Sequence, residues 1–428
     1  MTDTIIIKRD TTYDILYLIL SCFFLSFIYG GVWLLIPFLN GTIACGISLI
    51  ILFMSFNDSQ LCSYFIKKQY AAGFLALPIL SFIYMLTEDE KFSSSHFLSV
   101  YYCLIIILIA AHYGVDKDRR KYFLGIVLIE IVIMLAANIF YTVQDPEIIR
   151  SSQLETYTMY GTGFQKMVKI QILYIVAVLC FVFVSNFRVS KHKIFAVIFV
   201  VGSLWLLYEA QLTLVLLTTF VLMIYILLIN PRYLKISVIT GIILLVFLLV
   251  FSENILDFII DNGVFGKSTT NRLEEVRLIF FNDRSFSQNI KYFTENQYFY
   301  RSSSTIGRLV AYTKSFSALF HNFFLGVWTP GALKNGGHSI WLDLISQYGI
   351  GVILAYRAFI KYARSLLNTT DIYNKKAVLC FIIAFVFLGV FNNFSLSHFC
   401  IMLYIILPYM NEIISKNRVM ENEGSVDN

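Results

Sequence analysis

The chain has 428 residues, 58% of them hydrophobic and 14% charged, with 40 Phe and 27 Tyr. That balance excludes a soluble globular domain and indicates an all-α polytopic membrane protein. A formal charge of +6 would suit nucleic acid in a soluble chain, but here the Lys and Arg gather in short segments between apolar runs, where they set topology.

Apolar windows of about 20 residues predict twelve transmembrane helices. They fall near 13–31, 33–56, 69–86, 97–113, 122–143, 168–187, 193–209, 211–229, 234–251, 341–360, 377–394 and 396–415. The first run lacks a small-residue cleavage site and reads as a retained helix rather than a signal peptide. Gly30, Gly31 and Pro37 interrupt the apolar stretch that carries the first two spans.

Charge orients these spans, because cytoplasmic loops collect Lys and Arg. Lys8 and Arg9, Lys67 and Lys68, Lys117 to Lys121, Arg188 to Lys193, Arg232 and Lys235, Lys361 to Lys376, and Lys416 with Arg418 all fall on one side. Both termini are therefore expected in the cytoplasm. The expected organisation is nine spans in 1–251, one large extracytoplasmic loop over 252–340, three spans in 341–415 and a cytoplasmic tail over 416–428.

The seven cysteines lie in or beside apolar runs, without a CxxC pair. They indicate neither disulfides nor a metal site. Glu130 is the clearest ionisable residue within a span; it either pairs with a polar neighbour, is protonated or lies near an interface.

Information concentrates in the large loop. It holds nine Lys or Arg against seven acids, more positive charge than orientation requires. Arg308, Leu309, Tyr312, Phe316, Leu319 and Phe320 recur at helical spacing, which predicts an amphipathic helix from Ser304 or Thr305, lying on the membrane surface. The segment TPGALKNGG is turn chemistry and delivers His338 to the mouth of the tenth span. Ser339 is placed to cap that span, whose first amides form an anion site. An imidazole exchanges protons near neutral pH and a guanidinium holds phosphate through two donors.

Blander roles stand beside these. A lone interfacial His such as His338 is more often a solvated or capping residue than a catalyst, an Arg such as Arg308 most often a headgroup anchor, and Trp341 reads as an interface belt residue. Asp343 is five positions after His338, off the best same-face spacing. The aromatic run FTENQYFYR (293–301) either stacks on sugars or packs the loop.

An Arg at a helix start, then NFFLGVW, then GHSIWLDLISQYGIG resembles the O-antigen polymerase and ligase superfamily of bacterial envelopes. In that family a His followed by Asn, Ser or Gln is separated by nine residues from a Gly, as His338, Ser339 and Gly349 are here. The family's second Gly is replaced by Val352, with Gly351 one place early. Many members also carry an Arg where this chain reads YEAQLTLVLL, with Glu209 and Gln211.

The resemblance implies a GT-C-like membrane fold and an inverting glycosyl transfer outside the cytoplasmic membrane, without cofactor or metal. The expected partners are undecaprenyl-diphosphate-linked donor and acceptor glycans, membrane lipid and a chain-length regulator protein, with no nucleic acid. The implied catalytic residues are His338 and Arg308. Arg272, Arg277, Arg301, Ser339, Asp343 and Tyr312 are the expected substrate-binding residues. A polymerase of capsule or O-antigen repeat units is the favoured reading. The alternatives are an O-antigen ligase-type transferase, a lipid-linked oligosaccharide flippase or transporter, and a membrane protein whose basic loop docks a partner.

Overall fold

A computed structural model describes residues 11–36, 39–58, 70–87, 94–145, 148–151, 163–210, 212–228, 252–263, 305–369, 372–392 and 394–414, with isolated positions between 270 and 288. Every element among the described residues is helical. In chain order these are α1 (Thr11–Tyr29), α2 (Gly41–Asn57), α3 (Tyr70–Thr87), α4 (Ser94–Val115), α5 (Lys117–Gln144), α6 (Ile172–Asn186), α7 (Lys193–Glu209) and α8 (Thr213–Leu228). They continue as α9 (Ser252–Asp261), α10 (Thr305–His321), α11 (Ile340–Tyr348), α12 (Val352–Thr369), α13 (Ile372–Phe391) and α14 (Leu396–Ile414).

Five of these, α1, α4, α5, α13 and α14, are long and apolar enough to cross a membrane. Shorter apolar helices occupy α2, α3, α6 and α8. The ninth expected span, 234–251, lies outside the described residues.

Composition explains the layering. Every residue of α6 except Val184 is buried, as an all-round apolar helix requires. It packs against α8, α13, α7 and α5 and forms the centre of the bundle. Helix α5 begins where Asp116 accepts the amide of Arg119 at 3.2 Å, an N-cap that satisfies one of the helix's orphan donors.

The apolar stretch around Gly30 and Gly31 breaks for a visible reason. Helix α1 stops at Tyr29, Gly30 turns at φ +75°, and a 3-10 turn covers Val32–Leu35. Glu130 reaches across from α5 and accepts from Ser26 Oγ, from Tyr29 Oη at 2.7 Å and from the Val32 amide at 2.7 Å. Its carboxylate takes the place that a side chain on Gly31 would need. Of the three readings open for Glu130, the pairing with polar neighbours is the one observed.

One expected span is not a continuous helix. Residues 341–360 divide into α11 and α12 at Gly349, where φ is +59°, through a 3-10 turn over Gly349–Gly351. Apolar character runs through the break, so hydropathy alone joins what the backbone separates. Helix α12 then runs on to Thr369 and packs chiefly on α3.

Candidate functional site

Helix α10 begins at Thr305 and carries Arg308 in its first turn, as its apolar periodicity predicts. The turn-rich segment after it is pinned to the helix. Asn322, buried at the end of α10, pairs with both backbone groups of Leu333, donating to its carbonyl at 2.8 Å and accepting from its amide at 3.1 Å. Farther along, the amide of Gly336 donates to Ser315 Oγ at 3.0 Å. The backbone passes so close to the Ala311 carbonyl that a side chain at 336 would overlap it. Gly337 then turns at φ +73° and presents His338.

Asp343 organises this turn. Its Oδ1 accepts from Ser315 Oγ at 2.6 Å and its Oδ2 from the Ser339 amide at 3.2 Å. Ser315, Ser339 and Asp343 are all buried. Buried polar groups of this kind are costly unless paired, and here each pairs with another.

The geometry changes three expectations. Ser339 occupies the N-cap position of α11, but its hydroxyl donates to the Gly389 carbonyl at 3.3 Å and makes no cap bond. Its side chain is buried. At the start of α11, where the sequence predicts an anion site, two amides are used internally: that of Ser339 donates to the Asp343 carboxylate and that of Ile340 to the Asn392 carbonyl at 3.4 Å. Trp341 is not a belt residue: its Nε1 donates to the Phe385 carbonyl at 3.0 Å, and its ring presses on Gly389, Phe394 and Phe399.

Arg308 and His338, thirty positions apart in the chain, come within Coulombic reach of each other. Burial and the Arg308 charge push the imidazole below its ordinary value, while Asp343 opposes them. Neither side chain makes a hydrogen bond or ion pair among the described residues. Tyr312 stands one turn after Arg308 and donates to the Phe391 carbonyl. Burial raises its phenol and the Arg308 charge opposes the rise.

Tyr174, near the start of α6, also feels the Arg308 charge and stacks toward Phe394, with ring centroids 5.7 Å apart. Nothing in its local sequence distinguishes it from the apolar residues around it. Only the packing of α6 against α13 brings it to the site.

The remaining expected residues divide. Arg277 is paired with Asp257 of α9 at 3.2 Å, with both groups exposed. It already has a carboxylate partner. Arg272, Arg301, Gln211 and the whole run 293–301 lie outside the described residues.

Gly349, the Gly of the nine-residue spacing, closes α11, whose nine residues are that spacing. It meets the segment after α10. The Ile350 amide donates to the Phe324 carbonyl at 3.3 Å, and Tyr84 of α3 donates to the Leu325 carbonyl at 3.2 Å. Beneath Trp341, three residues beyond His338, an apolar groove of about 460 Å³ opens between α12, α13 and α14. Phe359, Ile382, Phe385 and Leu403 line it, and Arg364 stands among them.

The Arg308 charge is therefore within Coulombic reach of an imidazole whose charged form it disfavours, next to the buried Ser315–Asp343 pair, and Trp341, three residues on, lines an apolar groove. Such a site can accept a proton from a hydroxyl while holding a phosphate oxygen. No protein-family model, curated protein or solved structure matches this chain.

Proposed function

We propose that this chain is a glycosyltransferase of the bacterial cytoplasmic membrane that joins undecaprenyl-diphosphate-linked repeat units of a capsule or O-antigen on the outer face. The observation that carries this reading is the approach of Arg308 to His338, with both side chains unengaged among the described residues. The His338–Ser339–Gly349 spacing supports the same reading. Both termini are cytoplasmic in this scheme, which puts α10 and α11 at the outer surface.

The chemistry follows from the two groups. His338 takes the proton of the acceptor hydroxyl as its oxygen attacks the anomeric carbon. A new carbon–oxygen bond forms and the bond from that carbon to the diphosphate oxygen breaks, the electron pair leaving with the diphosphate. Arg308 stands where that negative charge develops. Attack opposite the leaving group inverts the anomeric centre. Burial and Arg308 keep His338 neutral near pH 7, the form a base requires. The groove under Trp341 suits an isoprenoid tail.

Membrane-inserted His338→Ala and Arg308→Ala variants test the reading. The expected result is export of single repeat units without chain growth. Long surface polysaccharide from both variants would end the proposal, and accumulation of lipid-linked units on the inner face would favour a flippase.

A further inference from the structure

A second cluster of chemistry-bearing side chains stands where α1 meets the corner between α4 and α5, at the end of these helices that the charge pattern assigns to the cytoplasm. A carboxylate oxygen of Asp14, a ring nitrogen of His112 and a carboxylate oxygen of Asp116 all lie within 4.8 Å of one another. His112 and Asp116 are four positions apart across the end of α4, so the helix presents both on one face. Helix α1 supplies Asp14 from a separate part of the chain.

Two observations distinguish this cluster from an ordinary ion-pair patch. Asp14 and His112 are almost fully buried, at 4% and 1% exposure, and Asp14 Oδ1 has no hydrogen-bond partner among the described residues. A buried carboxylate oxygen left unpaired costs free energy and calls for a ligand. The ion pairs are the second observation. Arg119 pairs with the other oxygen of Asp14 and lies 3.9 Å from Asp116 Oδ2. Arg120 is committed elsewhere, to Glu412 at 2.5 and 3.0 Å and over the Tyr409 ring at 4.6 Å. Among the described residues, the ion pairs of these two carboxylates are to one guanidinium.

We infer that Asp14, His112 and Asp116 form a binding site for a divalent transition-metal cation. Two carboxylates and an imidazole are the donor set of Zn²⁺, Mn²⁺, Co²⁺ and related ions, with open positions for water. Arg119 pairs with Asp14 Oδ2, which keeps Oδ1 as the carboxylate's open donor among the described residues. The ring of His112 is already oriented by stacking on Tyr17, at a centroid separation of 3.9 Å, so the ligand is preorganised. A bound cation ties α1 to the α4–α5 corner, and the cysteine pattern gave no hint of it because no cysteine takes part.

The test uses the full chain in detergent, stripped with a chelator and with any affinity tag removed. Co²⁺ alone is titrated while the visible ligand-field absorption is followed, and Zn²⁺ is then added as competitor. Native protein is expected to bind about one equivalent, a three-ligand site, and Zn²⁺ is expected to bleach the band and raise the melting temperature. Asp116→Asn keeps the N-cap acceptor for α5, so it tests the metal without removing the cap. It and His112→Gln should each weaken Co²⁺ binding by at least about tenfold. Absence of a saturable band, its persistence in either variant, or a Zn²⁺ effect on melting no larger in native protein than in Asp116→Asn would overturn the site and leave an arginine-only lock.

Discussion

Gly326 and Gly349 both adopt left-handed backbone, at φ +61° and +59°, and meet so closely that a methyl on either would overlap the other's strand of backbone. The contact locks the segment after α10 onto the end of α11. It holds the two elements that carry Arg308 and His338 at a fixed separation.

Gly349→Ala is therefore expected to fail twice, through its positive φ and through overlap with the Phe324 carbonyl. Strain of that kind costs about 1–3 kcal/mol before any clash is counted. A melting curve in detergent measures it. A variant as stable as the native chain would mean that the break between α11 and α12 is not built on this contact.

The Ser315–Asp343 bond gives a second expectation. Ser315→Ala strands one oxygen of a buried carboxylate and the Gly336 amide, a loss of about 1–3 kcal/mol. Stability should fall, and glycan chain length should shorten as the turn presenting His338 loosens. Ser315→Thr retains the hydroxyl and is expected to recover part of both.

The pH dependence of transfer separates the charges around His338. A base acts when neutral, so activity rises with pH through the imidazole pKa, which lies below its ordinary value. Arg308 disfavours the imidazolium, so Arg308→Gln should move the acid limb of residual activity to higher pH. Asp343 favours the imidazolium, so Asp343→Asn should move it to lower pH. Initial rates across pH 4–8 with a lipid-diphosphate donor read both directions, and shifts of the same sign would contradict this assignment of charges.

Glu130 offers a test away from the site. Glu130→Ala leaves the Tyr29 hydroxyl and the Val32 amide without their acceptor, at a cost of about 1–3 kcal/mol. Gly31→Ala is expected to destabilise by pushing the same carboxylate out of place. Because both act on one contact, their combined effect on melting should be less than the sum.

Much of the helical layout is legible in the sequence, and the reasons for the failures are local. Apolar runs announce α1, α4, α5 and α13, and the periodicity around Arg308 announces α10. The break at Gly349 is hidden because Tyr348, Ile350 and Val352 are as apolar as a continuous span would be. The part Asp343 plays in the turn is hidden because helical spacing does not hold from His338, which stands in the turn before the helix. Measured from Ser339, the carboxylate is four positions on, and it bonds that residue's amide. Tyr174 has no local signal at all, since what distinguishes it is Arg308, more than a hundred residues later. The ligand geometry of Asp14, His112 and Asp116 shares that obstacle, as Asp14 belongs to another helix.

The hydroxyls of Ser81 and Tyr348 share a hydrogen bond of 2.7 Å between positions 267 residues apart, and the Tyr84 ring stacks on Tyr348 at 5.9 Å. Helix α3 emerges early in synthesis, whereas α11 and α12 emerge near the end, and α12 carries Arg357, Lys361 and Arg364. During most of translation α3 lacks the surface it finally covers. The proposed site is thus among the last parts of the protein to assemble, and a chain truncated before α11 would lack it even if it inserted normally.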